Sequence, residues 1–152
     1  HTMKRMLASL LIMLWLSPLA HAEQMMMVRV GQTFPETMMK LQEVISAHGY
    51  QLSRVQRVDI GLTTSGYVTD KYRIVFFGKL EQNRWLIEKH PELIAYLPLK
   101  IAVYAEDQDT LLVAYNPEDL LQPKTPELKK MIHQWQEDIE MMLKEMHDFG
   151  NN

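Results

Sequence analysis

The sequence predicts a small α+β domain: a mainly antiparallel sheet of about four to five strands with two helices on one face, plus a long amphipathic helix at the C-terminus. Three observations predict this class. Apolar runs rich in β-branched and aromatic residues alternate with segments of helical spacing. Residues 99–105 and 111–115 flank an acidic turn, which is typical of a hairpin. The last segment repeats apolar residues every three or four positions, so one face of that helix is apolar throughout.

The N-terminal half contains three predicted strands. The first runs from Met25 to Val30 and is followed by a helix that begins at the capping-box pattern Thr33-x-x-Glu36 and stops at Gly49. The apolar stripe of this helix consists of Phe34, Met38, Leu41 and Ile45. A second strand is expected over 51–60, a loop over 61–70, and the strongest strand over 72–77.

The C-terminal half begins with a predicted helix over 81–89 and a short helical turn that ends at Tyr96. After the hairpin, Asn116-Pro117 and a proline-containing linker lead to Thr125-Pro126-Glu127, which caps the final helix. That helix is expected to reach about Phe149, and its apolar positions are Leu128, Ile132, Trp135, Ile139, Met142, Met146 and Phe149.

The predicted strands are apolar on both faces of the sheet. Ile74 and Phe76 point one way while Val75 and Phe77 point the other, because side chains alternate along a strand. An antiparallel sheet with one face in water would alternate apolar and polar residues instead. Both faces therefore need cover. Two helices can shield one face, which leaves the other to the C-terminal helix or to a second copy of the protein.

The first 22 residues have the pattern of a cleavable export signal. His1 and Thr2 resemble a cloning remnant, and Lys4-Arg5, an apolar run over 6–16 and Ala20-His21-Ala22 then follow in the order that signal peptidases recognise. The apolar run is shorter than the ~20 residues of a membrane span. We expect cleavage before Glu23, only transient membrane contact, and a periplasmic or secreted protein.

The predicted organisation is therefore a signal and remnant at 1–22, an α+β domain at 23–121, and a C-terminal helix at 122–152 that packs on the domain or on a partner subunit. Loss of Lys4 and Arg5, with no acidic residue in that segment, changes the net charge from −3 to −5. An acidic chain without a basic run is unsuited to nucleic acid. The absence of cysteine excludes disulfides and thiolate metal sites.

Four short motifs occur in an order that resembles the bacterial family catalogued as domain of unknown function number 302, over about residues 25–117. The motifs are His48-Gly49-Tyr50, Val75-Phe76-Phe77-Gly78, the run Leu97-Pro98-Leu99-Lys100-Ile101-Ala102-Val103-Tyr104, and Tyr115-Asn116-Pro117. The resemblance implies helices on a mainly antiparallel sheet and a tendency to form homodimers. It implies no established activity.

The chain shows no catalytic or metal signature. It has neither Gly-x-Ser-x-Gly nor Ser-x-x-Lys, and its histidines lack His-x-x-x-His spacing. We therefore predict no enzyme, no catalytic residue, no metal site and no cofactor. Two alternatives remain: a periplasmic copper-binding protein that uses soft thioethers such as those of Met25, Met26 and Met27, or a hydrolase-like enzyme without a recognisable motif.

The remaining interpretation is a binding or interaction module, with an envelope protein or a small apolar molecule as its partner. Aromatic side chains near strand ends supply apolar surface, and a ligand could lie between the sheet and the helices. The predicted ligand-binding residues are Phe77, Gly78, Tyr96, Tyr104 and Tyr115. These rings serve equally well as core packing.

Overall fold

The computed structural model describes residues 25–66 and 70–151. The predicted signal segment at 1–22 lies outside these residues. In chain order the elements are β1 (Met25–Val30), α1 (Phe34–Ala47), β2 (Gln51–Arg57), α2 (Val58–Thr64), β3 (Tyr72–Gly78), α3 (Leu80–Lys89), a 3₁₀ helix (Pro91–Tyr96), β4 (Leu99–Glu106), β5 (Asp109–Tyr115), α4 (Pro117–Leu121) and α5 (Pro126–Gly150).

The five strands form one antiparallel sheet in the order β1-β5-β4-β3-β2. β4 and β5 are joined by a tight turn in which Asp107 adopts a φ of 52°, a conformation that Asp tolerates better than most residues. Met27 lies opposite Val113, Val113 opposite Ala102, and Ala102 opposite Ile74, so side chains of four strands share one row. The predicted α+β class and antiparallel sheet are confirmed.

One face of the sheet carries the hydrophobic core. Val75, Phe77, Ile101, Val103 and Leu112 point to this face and are completely buried. Helices α1 and α5 supply the other side of the core, since their apolar stripes belong to the same buried cluster. Burial of each such side chain stabilises the fold by about 1.5–3 kcal/mol. We refer to this side of the sheet as the covered face.

The C-terminal helix α5 packs within its own chain, on the covered face. Its most extensive contacts are with β1, α1 and α4, and Trp135 also donates a hydrogen bond to Gln82 on α3 at 2.8 Å. Thr125 caps α5 by accepting a hydrogen bond from the backbone N–H of Leu128. At the other end, Gly150 lies against the backbone of Val30 and Gly31, so closely that a Cβ on Gly150 would meet the Gly31 nitrogen at 2.4 Å. No helix in the described part of the chain is both long and apolar enough to cross a bilayer.

Three local predictions are wrong. The segment predicted as the end of a strand and a loop forms helix α2, and part of the predicted proline-containing linker forms helix α4. The expected capping box is absent because the side chain of Thr33 makes no capping hydrogen bond. The short helix α4 does have a side-chain cap, since the side-chain oxygen of Asn116 accepts a hydrogen bond from the Asp119 N–H at 3.4 Å.

Candidate functional site

The second face of the sheet, here called the open face, keeps its apolar side chains partly in solvent. None of them is fully buried, and Met25, Met27 and Tyr115 are 48%, 57% and 44% exposed. Alternation along the paired strands places the following side chains on this face: Met25, Met27, Arg29, Arg54, Gln56, Tyr72, Ile74, Phe76, Lys100, Ala102, Tyr104, Glu106, Leu111, Val113 and Tyr115. Contiguous exposed apolar surface is typical of interaction sites, which makes the open face the candidate site.

A shallow groove of about 250 Å³ runs across the centre of the open face. It is lined by Met25, Tyr72, Ile74, Lys100, Ala102, Val113, Ala114 and Tyr115. Four of the five strands contribute to this lining, so the pairing of the strands positions the groove. The small side chain of Ala102 lies between the larger Ile74 and Val113, which leaves room above it.

Charged groups are separated along the open face. Lys100 and Arg54 flank Phe76 at one end, and the Arg54 guanidinium lies 5.0 Å from the Phe76 ring centroid. Neither cation forms an ion pair with a carboxylate of the described residues. The opposite end holds Glu106 and the β4–β5 turn, with Glu106 bound by the Arg29 guanidinium at 2.8 and 2.9 Å.

Tyr104 lies at the acidic end of the open face. Its ring packs edge-on against Tyr72 with centroids 6.2 Å apart, and its hydroxyl donates to Asp70 at 3.3 Å. The negative charge of Asp70 raises the pKa of Tyr104. The phenol therefore stays neutral at physiological pH and acts as a donor.

Two polar clusters lie away from the groove and have structural explanations. Beneath the helices, the hydroxyl of Tyr50 donates to Asp138 at 2.6 Å, and burial raises the pKa of Tyr50. At the surface, His133 contacts Glu118 on α4 and Glu137 one turn along α5, and its hydrogen bond with Glu118 raises the pKa of His133. Both clusters hold α5 in place.

The family described as Domain of unknown function DUF302 matches residues 26–146. The chain belongs to this family. The match includes most of α5 as well as the central region on which the resemblance in the sequence rests. The resemblance is therefore confirmed.

A solved DUF302 protein has the same fold. The structure titled "Crystal structure of uncharacterized conserved protein DUF302 from Bacillus stearothermophilus" is similar with a TM-score of 0.70 and 19% sequence identity, and the alignment covers 81% of this chain and 98% of the other. None of the curated proteins is significantly similar to this chain. The family and its fold are thus shown, and no enzymatic role is indicated by either.

In this DUF302 chain the five predicted ligand-binding residues do not surround one cavity. Phe77 is completely buried on the covered face, where its ring meets Tyr50 edge-on, and Gly78 is buried beside it. Tyr104 and Tyr115 lie at opposite ends of the open face. Tyr96 is 47% exposed on the 3₁₀ helix, beyond the end of the sheet.

Tyr96 and Tyr115 do meet at a small cleft between the end of the sheet and the helices. Its lining includes Leu120 from α4 and Ile139 from α5. The cleft has a volume of about 30 Å³, which is room for about one water molecule. That cleft is therefore too small for an organic ligand.

Sequence reasoning missed most of that groove, including Ile74, Lys100, Ala102 and Val113. The signal was present in the alternation of β3, β4 and β5, which groups these residues on one face. What the alternation does not tell is which of two apolar faces the helices cover.

The described residues contain no cluster of three or more histidine and acidic side chains that could hold a metal ion. The three methionines of the copper-binding alternative do not lie on the same face of the sheet. Met25 and Met27 lie on the open face, while Met26 points to the covered face, where the Gln136 amide lies 3.8 Å from its sulfur.

Proposed function

We propose that this DUF302 protein is an exported, non-enzymatic binding module that holds a small apolar molecule in the groove of the open face. The observation that carries this proposal is the contrast between the two faces of one sheet. Both are apolar, yet the described helices bury the side chains of one face and leave those of the other partly exposed.

The lining of the groove favours an apolar, uncharged ligand. Aliphatic side chains such as Ile74 and Val113 form its floor, and the Tyr72 and Tyr115 rings stand at its borders. Aromatic rings bind flat apolar groups through dispersion and edge-to-face contacts. Lys100 is the charged side chain of the lining, and its position at one end leaves the centre apolar.

The same lining supports a role without chemistry. A general base or nucleophile must lie within hydrogen-bond reach of a reacting atom. The groove offers Lys100 and two tyrosines and contains no carboxylate, histidine or serine. The strongest polar clusters of the described residues, around Tyr50 and His133, are occupied by contacts that join α5 to the rest of the fold.

A neutral fluorescent probe, N-phenyl-1-naphthylamine, tests the groove directly. Ala102→Trp fills the groove from its floor without altering the covered face, and Met141→Trp adds the same ring at an exposed site on α5. We expect probe fluorescence with the wild type and with Met141→Trp, and a dissociation constant raised at least about tenfold in Ala102→Trp. Equal binding by both variants would contradict the proposal.

Native mass spectrometry of the protein extracted from its own cells separates the proposal from its alternatives. A retained organic molecule supports the groove. A retained copper ion that is lost in the double variant Met25→Leu and Met27→Leu would support the copper-binding alternative instead, since those thioethers share one face of β1.

Export has a test of its own. We expect the protein in the periplasmic fraction to have an intact mass that begins at Glu23, because the pattern over residues 3–22 is that of a cleaved signal. A cytoplasmic protein that retains Lys4 and Arg5 would contradict this part of the proposal and leave the groove untouched.

A further inference from the structure

We infer that a second copy of this chain covers the open face, and that the two facing grooves form one enclosed ligand cavity between the subunits. The ligand part of this inference rests on the proposed function. The pairing of the two copies rests on the shape and charges of the open face alone.

The groove of one chain is incomplete as a binding site. Small-molecule pockets have volumes of about 300–1,000 Å³ and bury most of the ligand surface. The groove holds about 250 Å³, and the sheet forms its floor without a roof. A second groove placed over the first supplies that roof and about doubles the volume, which brings the site into the normal range.

The open face is large enough to contribute most of an interface. Strands spaced about 4.8 Å apart, with about six residues that each rise about 3.3 Å, give the five-stranded sheet a projected area of roughly 500 Å². A standard interface buries about 800 Å² on each partner. Tyr96 and Leu120, exposed beside Tyr115 at the end of the sheet, extend the apolar surface toward that value.

The charges of the open face select how two copies meet. The cations Lys100 and Arg54 lie at one end of the strands, and Glu106, Asp107 and Asp109 lie at the other. Asp107 and Asp109 form no ion pair with any described residue. Lys100 and Arg54 form none either. The face therefore carries unpaired positive charge at one end and unpaired negative charge at the other.

A two-fold axis in the plane of the interface and perpendicular to the strands reverses the strand direction of the second copy. This rotation places the basic end of each copy over the acidic end of its partner, and β4 over β4 in the opposite direction. A two-fold axis parallel to the strands would place like charges together. Symmetric dimers use the same patch on both subunits, and opposed sheets pack about 10 Å apart within about 30° of alignment.

Charge reversal tests this arrangement. Lys100→Glu places two acidic ends against each other, and symmetry makes this repulsion occur twice. Asp109→Lys restores an opposite charge when combined with it. The control is Lys124→Glu, the same charge change at an exposed site in the loop before α5. Circular dichroism checks that each variant is folded.

Sedimentation velocity at concentrations up to about 100 µM measures the dimer. We expect a wild-type dimer, a dissociation constant raised about tenfold or more in Lys100→Glu, no change in Lys124→Glu, and tighter association in the double variant than in Lys100→Glu alone. A wild-type monomer over this range, equal effects of both lysine reversals, or no recovery in the double variant would each overturn the inference.

The two proposals fail in different ways. A dimer that binds no apolar probe supports the pairing and contradicts the ligand. A monomer that binds the probe, and loses it in Ala102→Trp, supports the proposed function and overturns the second copy as the roof of the groove.

Discussion

The buried hydroxyl of Tyr50 provides a quantitative test of how the helices are fixed to the covered face. Tyr50 is 3% exposed, and its ring meets Phe77 edge-on with centroids 5.5 Å apart. Its hydroxyl donates to Oδ2 of Asp138 on α5 at 2.6 Å, while Gln134 donates to Oδ1 of the same carboxylate at 2.9 Å. Asp138 is 9% exposed, so water compensates little for a lost donor.

Replacing Tyr50 with Phe keeps the ring and removes only the hydroxyl. The carboxylate of Asp138 then retains the Gln134 amide and loses the donor to Oδ2. A hydrogen bond to a charged group contributes about 1.5–3 kcal/mol, and a buried acceptor left without its donor costs a similar amount. We expect Tyr50→Phe to lower the free energy of unfolding by about 2 kcal/mol at neutral pH.

The pH dependence of this difference has a definite sign. Burial raises the pKa of Tyr50, whereas a tyrosine in the unfolded chain ionises near pH 10. Below about pH 10 the hydroxyl is neutral in both states and its stabilisation is fully present. At higher pH only the unfolded chain ionises, so the advantage of the wild type over Tyr50→Phe falls by about 1.4 kcal/mol for each pH unit.

Urea unfolding followed by tryptophan fluorescence, at neutral pH and above pH 10, measures both effects. Tyr96→Phe is the matched control because its ring is 47% exposed, and we expect it to match the wild type within about 0.5 kcal/mol. If Tyr50→Phe were no less stable than Tyr96→Phe at neutral pH, or if its difference from the wild type stayed constant at alkaline pH, the reasoning would be refuted.

Three further predictions concern the docking of α5. We expect Gly150→Ala to lower the free energy of unfolding, measured by thermal unfolding, by about 1–3 kcal/mol, because the added Cβ would lie 2.4 Å from the backbone at the end of β1. Gly61→Ala is the control and should not lower this free energy, because no atom lies within 4 Å of its added Cβ. Ile132→Ala, at a completely buried site, should lose about 2–5 kcal/mol in urea unfolding, and a smaller loss would show that α5 is not packed there. In an NMR titration, the pKa of His133 should lie above the ~6.5 of an ordinary histidine and fall in Glu118→Gln. The contact of α4 with protonated His133 then weakens as the pH rises through that raised pKa, and an unchanged midpoint in Glu118→Gln would contradict this.

Most of the fold could be predicted because local patterns agree with it. The strands β1, β3 and β4 follow apolar runs that end at glycine or at the acidic turn, and the run of β5 ends at Asn116-Pro117. Helix α5 follows an uninterrupted apolar stripe with a Thr-Pro cap. In these segments the local preference of the residues for helix or strand agrees with their burial in the structure, and this agreement makes the elements predictable.

The helix α2 could not be predicted in this way. Val58 and Ile60 continue the character of the preceding strand, none of the residues of α2 is buried, and no side chain caps its start. The sequence of α2 therefore contains no pattern that marks it as a helix. Helix α4 differs, because Asn116 followed by Pro117 is a recognisable helix N-cap that indicates a helix at this position.

The location of the proposed binding surface could not be predicted from the sequence, for a physical reason. Ile74 and Phe76 are as apolar as Val75 and Phe77, so hydrophobicity along β3 does not distinguish the faces. The choice is made by long-range packing, where Gly150 against Gly31 and Asp138 against Tyr50 bring α5 to the side that α1 already covers. Four of the five predicted ligand residues are aromatic, and aromatic side chains occur on both faces of the sheet.

The most direct test of the central claim is a methyl-resolved NMR titration of the folded protein with N-phenyl-1-naphthylamine. Neighbouring residues on the same strands serve as internal controls, because Ile74 and Val113 lie on the open face while Val75 and Leu112 lie on the covered face. We expect saturable shifts of the Ile74, Ala102 and Val113 methyl signals with little change at Val75 and Leu112. Shifts confined to the covered-face methyl groups, or no saturable shift at any of them, would contradict it.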